Sequence, residues 1–397
     1  MPIGYLVTVV LVASATLLAL APPPRRSRVL AKASWLLSPV VNAPFVACLL
    51  LVAATALAFG SGDIDSPGGW AVVGAAALTM VGLVVVARRG LRTGPAVERA
   101  LNEGLGPDWT AAANAANGSR SRSRASLARI VLWPFPWFPR PRAVERIKNL
   151  RYGDAGRRNL LDVYRHRSHP SGAPTLVYVH GGGFFSGRKS FEARPLIHRL
   201  ASHGWVCLSA TYRLRPQATF PDHLIDLKKV IAWVREHGDE YGADPEALFV
   251  AGSSAGGHMA AMAALTPNDP RFQPGFEDAD TSVSAAITLY GYLGNYYGQG
   301  ADSSPQAYVR PDAPPFFVAQ GARDTYSPRF VEIARGFAEK LGSTSSNPVI
   351  YAELPGAQHS FDLFHSTLFE PVIDGVEEFA AWVRSTRVRS RGEPLEV

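Results

Sequence analysis

An α/β fold with a doubly wound, mostly parallel sheet, preceded by three transmembrane helices, is what this 397-residue sequence predicts. Three observations predict it. Uncharged runs of about twenty residues crowd the first ninety positions, as a bilayer requires. After about residue 146, short apolar runs alternate with amphipathic stretches. Glycine-rich motifs follow several of those runs directly. Composition agrees: 47% hydrophobic and 18% charged residues exclude global disorder. Two cysteines exclude a disulfide scaffold.

The uncharged runs are Ile3–Ala21, Val40–Phe59 and Gly69–Ala87, of 19, 20 and 19 residues. At about 1.5 Å per residue each reaches about 28–30 Å, the hydrocarbon thickness of a bilayer. A buried helical hairpin of a soluble protein explains one such run more readily than three. Pro44, Gly74 and Gly82 lie inside them, and transmembrane helices tolerate both residue types. No acidic or basic residue lies within the runs, which excludes a transport pathway. No cation precedes the first run, so it is a poor signal peptide. Residues 1–90 therefore read as three transmembrane helices.

Charge orients them. Arg25, Arg26, Arg28 and Lys32 follow the first run, and Arg88, Arg89 and Arg92 the third. The loop between the second and third runs holds only Asp63 and Asp65. The positive-inside rule puts both basic clusters, and all that follows residue 88, in the cytoplasm, with the N-terminus outside. The net charge of +7 also has an address. Residues 1–150 carry 16 Lys+Arg against 6 Asp+Glu, whereas the remainder carries 24 against 27. The basic surplus belongs to the membrane segment, where it favours an anionic cytoplasmic leaflet and argues against nucleic acid.

Residues 91–145 form a connector. Its first part, 91–118, shows little pattern. Then come Arg120, Arg122, Arg124 and Arg129, followed by the aromatic, proline-rich Ile130–Arg142. Pro134, Pro136, Pro139 and Pro141 exclude a regular helix or central strand. Trp133, Phe135, Trp137 and Phe138 suit either a membrane-surface segment or a lid over the following domain.

Residues 146–390 read as one α/β domain, with 391–397 a tail. Expected strands are Leu160–Tyr164, Thr175–His180, Trp205–Ala210, Leu248–Gly252, Ser284–Tyr290, Pro315–Gln320 and Val349–Leu354. Several are continuous apolar runs, as in strands covered on both faces. Between them, Leu224, Leu227, Ile231 and Val234 have helical spacing, as do Val372, Val376, Phe379 and Val383.

Chemistry is expected at the strand ends. Gly252-Ser253-Ser254-Ala255-Gly256-Gly257 stands between a strand and a helical stretch, a G-x-S-x-G pattern. A serine on so sharp a turn projects its hydroxyl clear of the sheet, and only tiny neighbours let the backbones pass. That register makes Ser254 the nucleophile. Alone, the pattern is also that of an ordinary Gly-Ser turn. His180-Gly181-Gly182-Gly183 follows another strand. Its glycines can aim bare N–H groups at a developing oxyanion. A flexible turn is the plain alternative, and no phosphate-loop pattern is present. A serine needs a base, and in this topology the acid and the histidine follow it in that order. Asp324 and His359 each stand just past a strand. The alternatives are His365, His258 (more readily a packing residue), Asp302 and Asp312.

On these residues the sequence resembles the α/β-hydrolase superfamily, and within it the hormone-sensitive-lipase-like esterases. HGGG at 180–183, GSSAGG at 252–257, Tyr212-Arg213-Leu214 with Pro216, Phe220-Pro221 and Asp226, and the closing Pro355–Phe361 carry the resemblance. It covers roughly residues 150–390. It implies an α/β-hydrolase sheet and a serine carboxylesterase or lipase acting on an ester or lipid. Ser254, Asp324 and His359 would form the triad, and Gly182, Gly183 and Ala255 would donate to the oxyanion. His180, Gly181, Gly252 and Gly256 would support the two motifs. Ser253 departs from the pattern, where an acid is common, and so does Thr211, where Asp is common. The N-terminal spans resemble those of membrane-tethered actinobacterial lipase/esterase-like proteins. No metal or organic cofactor is expected. A peptidase or amidase on the same fold, and a non-catalytic interaction module, are the competing functions.

Overall fold

The structure, a computed structural model, describes residues 3–21, 40, 42–111, 113, 140–324, 326 and 329–391. The first basic cluster (Arg25, Arg26, Arg28, Lys32) and the aromatic connector from 114 to 139 lie outside the described residues.

Helices α1 (Ile3–Leu20), α2 (Pro44–Gly60) and α3 (Pro67–Leu91) pack on one another. α1 and α3 approach closely because Gly82 carries no side chain: a Cβ there would stand 2.7 Å from Thr16 Cγ2. The Tyr5 hydroxyl meets Thr55 Oγ1 at 3.0 Å and ties α1 to α2. Their outer faces expose Val7, Leu11, Leu17, Leu49, Leu57, Leu78 and Val81. α3 starts on a Ser66 cap that accepts from Gly69 N–H, and ends on Arg88 and Arg89, cations that suit a helix C-terminus. α1, and α3 together with its continuation, are long and apolar enough to cross a membrane by length and composition. α2, at 17 residues, is a shorter apolar helix.

The continuation is α4 (Thr93–Leu105), a helix within the stretch that sequence reads as patternless. Small residues conceal its apolar face, formed by Val97, Ala100 and Leu101. Then follow β1 (Val144–Arg151), β2 (Leu160–His166), β3 (Ala173–Val179), α5 (Arg194–Ser202), β4 (Val206–Ala210), α6 (Asp222–His237), β5 (Ala243–Ser253), α7 (Ala255–Leu265), β6 (Ala285–Leu289), β7 (Phe316–Gly321), α8 (Arg329–Thr344), β8 (Val349–Leu354) and α9 (Glu370–Arg391). All seven expected strands are present. β1 is additional: its sequence VERIKNLR is charged because it is a sheet edge with residues open to solvent.

The eight strands form one sheet in the order β1-β2-β4-β3-β5-β6-β7-β8. β1–β2 and β2–β4 are antiparallel, and every later pairing is parallel. Alternate residues of one strand feed two cores. Leu176 and Tyr178 face a layer with α4, α5 and α9, whereas Val177 and Val179 face α6, α7 and α8. This is the doubly wound arrangement, and it brings the C-terminal ends of β3, β5, β7 and β8 to one edge.

The apolar N-terminal bundle joins the sheet at that edge. Arg323 Nη1, in the turn after β7, donates to the Leu20 carbonyl at 2.8 Å and the Ala19 carbonyl at 3.4 Å. Arg89 Nη1 reaches Leu20 O at 3.5 Å. These guanidinium groups satisfy carbonyls that the end of α1 leaves open. Gly356, after β8, lies so close to α3 that a Cβ would meet the Arg89 and Gly90 backbone at 2.9 Å.

Candidate active site

β5 ends at Ser253 and α7 begins at Ala255, which leaves Ser254 between them at φ 53° and ψ −114°. That conformation is costly for a residue with a Cβ and persists only when the surroundings enforce it. Here Ser254 N–H donates to Leu289 O at 2.9 Å. The Ser254 carbonyl accepts from His258 N–H and Tyr292 N–H at 3.2 and 3.3 Å. A Cβ on Gly256 would stand 2.2 Å from Val179 O, so only glycine lets the first turn of α7 pass β3.

Val179 and Gly252 are register partners, so the HGGG loop and the serine turn leave adjacent strands side by side. Gly182 takes φ 92°, and a Cβ there would strike the Ser186 carbonyl at 2.2 Å. Among the described residues no backbone carbonyl accepts from the N–H of Gly182 or Gly183. Ala255 is the first residue of α7, where an N–H has no intrahelical acceptor. His180 anchors the loop from below. It is buried, stacks on Tyr212 at 4.4 Å, and its Nδ1 lies 2.8 Å from Gly181 O. Tyr212 donates to the His180 and Gly181 carbonyls at 2.9 and 3.1 Å. Arg213 in turn grips Asp226, with its N–H 2.8 Å from Oδ2.

Asp324 and His359 stand on the turns after β7 and β8, both almost fully buried. His359 Nε2 lies 2.9 Å from Ser254 Oγ, and His359 Nδ1 lies 2.7 Å from Asp324 Oδ2. Asp324 also accepts from Gln320 Nε2 at 3.0 Å and from Tyr326 N–H at 3.1 Å. The Arg323 N–H donates to Ala357 O at 3.1 Å and laces the two turns together. The imidazole is walled by Tyr290, Tyr326 and Phe330, with centroids at 4.6, 5.1 and 5.6 Å.

The alternatives go elsewhere. His365 pairs with Glu370. His258 bonds Ser303 O at 2.8 Å, and burial pushes it down to about 4, so it packs as a neutral ring. Asp312 pairs with Arg310 at the surface, and Asp302 lies in a short 3₁₀ turn. Of the tyrosines between 290 and 308, only Tyr297 is exposed by the HGGG loop, where its hydroxyl donates to Gly183 O at 2.5 Å. Among the described residues no group of three or more His, Cys, Asp or Glu could hold a metal ion.

Sequence reasoning missed five residues here. Tyr326 and Phe330 flank the imidazole, while Glu192, Asp362 and Tyr178 lie behind the serine turn. Asp362, three residues past His359, and Tyr326, two residues past Asp324, had a local signal. The other contacts join residues far apart in the chain.

Comparison with known proteins points to an ester hydrolase. A family model described as BD-FAE matches residues 161–297. A probable carboxylic ester hydrolase, LipM, of Mycobacterium tuberculosis (strain ATCC 25618 / H37Rv) is 38% identical over 345 residues, covering 79% of this chain and 78% of LipM. Esterase LipQ of the same organism is 36% identical over 322 residues, covering 74% of this chain and 75% of LipQ. Among solved structures, the butyrate-bound esterase Est2 of the planctomycete Thermogutta terrifontis superposes with a TM-score of 0.51 at 25% identity. That match covers 60% of this chain and 93% of Est2. The chain therefore belongs to the α/β-hydrolase superfamily, in its hormone-sensitive-lipase-like group of carboxylic ester hydrolases, and is a serine-type esterase.

Proposed function

We propose that this esterase is held in a membrane by α1–α3 and cleaves an acyl ester by attack of Ser254. The observation that carries this is the unbroken hydrogen-bond line from Ser254 Oγ through His359 to Asp324, at 2.9 and 2.7 Å. His359 Nε2 takes the Ser254 proton as Oγ adds to the ester carbonyl. Asp324 fixes the tautomer and stabilises the imidazolium. The N–H groups of Gly182, Gly183 and Ala255 receive the oxyanion. His359 then protonates the departing alcohol. A water, deprotonated by the same imidazole, attacks the acyl-enzyme and releases the acid and free Ser254. The apolar part of the substrate lies against Phe185, Tyr297 and Tyr326, which are exposed around the mouth. Arg215 braces Phe185 and Tyr297 from 4.9 and 4.6 Å.

The membrane reading rests on the length and apolar surface of α1 and α3, with α2 as the third crossing. The ends of α1 and α3 that touch the catalytic turns are the basic ends. The hydrolase domain therefore sits on their side, which is the cytoplasm by the positive-inside rule.

The test is labelling of the full-length protein in membranes by a fluorophosphonate, together with hydrolysis of p-nitrophenyl esters of increasing acyl length. Labelling and turnover are expected, both lost in Ser254→Ala. Labelling that persists in Ser254→Ala would overturn the assignment.

A further inference from the structure

Behind the nucleophile turn lies a buried polar cluster that the mechanism does not use. Ser253 Oγ donates to Asp362 Oδ2 at 2.6 Å. Tyr290 donates its hydroxyl to Asp362 Oδ1. The Tyr178 hydroxyl meets Ser253 Oγ at 2.8 Å and Asp362 Oδ2 at 3.4 Å. Glu192 stands beside the cluster, where the Asp362 charge acts on its carboxyl. Glu192 Oε2 accepts the N–H of Gly181. The cluster thus touches three pieces of the site: the HGGG loop at Gly181, the serine turn at Ser253, and the His359 loop at Asp362.

We propose that Glu192 and Asp362 are a pair of positioning residues that tie the oxyanion loop, the nucleophile turn and the His359 loop into one unit. The proposal rests on the triad and oxyanion reading above, whose geometry the pair would hold.

Proton accounting sets the roles. Each hydroxyl has one proton to give. Ser253 gives its proton to Asp362, so the close Tyr178–Ser253 contact needs Tyr178 as donor. The Tyr178 hydroxyl also lies 3.4 Å from Asp362 Oδ2, so its proton is directed at the Ser253–Asp362 side. Asp362, receiving the Ser253 and Tyr290 hydroxyls, is the ionised partner. Glu192 holds the oxyanion loop separately, through Oε2 and the Gly181 N–H. The chain runs in one direction, from Tyr178 through Ser253 to Asp362.

The electrostatics agree. Burial first, and the Asp362 charge second, push Glu192 up to about 8. Burial also raises Asp362. Two carboxylates sharing one apolar site hold a single proton between them. The other titratable groups facing the pair are Tyr178, Tyr212 and Tyr290, whose hydroxyls burial holds far above their usual range, and His359, whose charge favours an ionised Asp362. Loss of the shared proton sets two carboxylates against each other beneath Gly181. The oxyanion loop then loosens. Because the raised value lies above the ordinary carboxylate range, the arrangement is intact below pH 8 and is lost as pH rises through it.

The experiment measures kcat and KM for a soluble p-nitrophenyl ester from pH 6 to 9.5, on full-length protein in detergent. Native kcat is expected to fall above about pH 8 while KM changes little. Glu192→Gln can still accept from Gly181 but cannot ionise. It should keep native kcat at pH 7 within about threefold and lose the alkaline fall. Glu192→Ala should lower kcat about tenfold or more at pH 7, less than outright loss of an oxyanion donor. A native alkaline fall that persists in Glu192→Gln, or a flat native profile to pH 9.5, overturns the proposal. So does native kcat in Glu192→Ala. If Glu192→Ala does not fold, the native and Glu192→Gln profiles decide. Fluorophosphonate labelling lost in Ser254→Ala, alongside unaffected Glu192 variants, would sink this inference and leave the triad standing. Labelling retained in Ser254→Ala would sink the triad itself.

Discussion

Replacing Asp324 by asparagine tests the electrostatic core of the mechanism with almost no change of volume. In the native site Asp324 Oδ2 receives two donors, His359 Nδ1 at 2.7 Å and Gln320 Nε2 at 3.0 Å, and Oδ1 receives Tyr326 N–H at 3.1 Å. An amide has one acceptor and one donor end. With its NH2 toward His359 it faces a second donor in Gln320 and forces the wrong imidazole tautomer. Turned round, it opposes Tyr326 N–H. Either orientation also removes the negative charge that meets the imidazolium. With the contact at 2.7 Å, two unit charges at an effective dielectric near 20 interact by about 6 kcal/mol. Delocalisation over both groups reduces this to about 4 kcal/mol, or roughly 10³-fold in rate. Asp324→Asn is therefore expected to lower kcat by roughly 10³–10⁴-fold with KM nearly unchanged. Steady-state hydrolysis of a p-nitrophenyl ester measures this, with the melting temperature as a check on folding. A folded variant within tenfold of native kcat would refute Asp324 as the orienting acid.

Further outcomes test other links. Ser254→Ala is expected to cut kcat by roughly 10⁵–10⁶-fold without lowering Tm, since it removes the nucleophile but no packing contact. Near-native turnover would contradict it. Arg323→Ala removes the donor to the ends of Ala19 and Leu20, beside Asp324. A loss of about 1–3 kcal/mol in stability and a lower kcat are expected, and unchanged Tm and kcat would show that the anchor contact is idle. Burial lowers His180 and His258 from 6.5 to about 4, so between those values the unfolded chain binds protons that the folded chain does not. Stability is therefore full above about pH 6.5 and falls toward pH 4; a Tm independent of pH from 7 to 4.5 would contradict this. An alkaline phosphatase domain fused after Val397 should be inactive because it stays in the cytoplasm, and full activity would reverse the topology.

Much of the candidate site was legible because its constraints are local. Gly252, Ser254 and Gly256 lie within five residues, and the crowding that demands glycine there comes from one strand meeting one helix. The central strands were legible because β3 and β4 are covered on both faces and so are continuously apolar. β1 escaped because an edge strand keeps charges on its open side. α4 escaped because alanine and glycine mask its periodicity, and its packing against β8 and α9 appears only in three dimensions.

The chain by itself determined the apolar helices, the parallel sheet and the residue types needed for ester chemistry, because periodicity and glycine spacing are read along the backbone. Sequence preferred His359 to His365 for its place just past a strand, but only tertiary structure sets its Nε2 2.9 Å from Ser254 Oγ. It alone placed Arg323 on the end of α1, 303 residues earlier in sequence. It alone gathered Glu192, Tyr178, Ser253 and Asp362 behind the nucleophile. Such contacts leave no local pattern, because each is made by one side chain whose partner is chosen by the winding of the sheet.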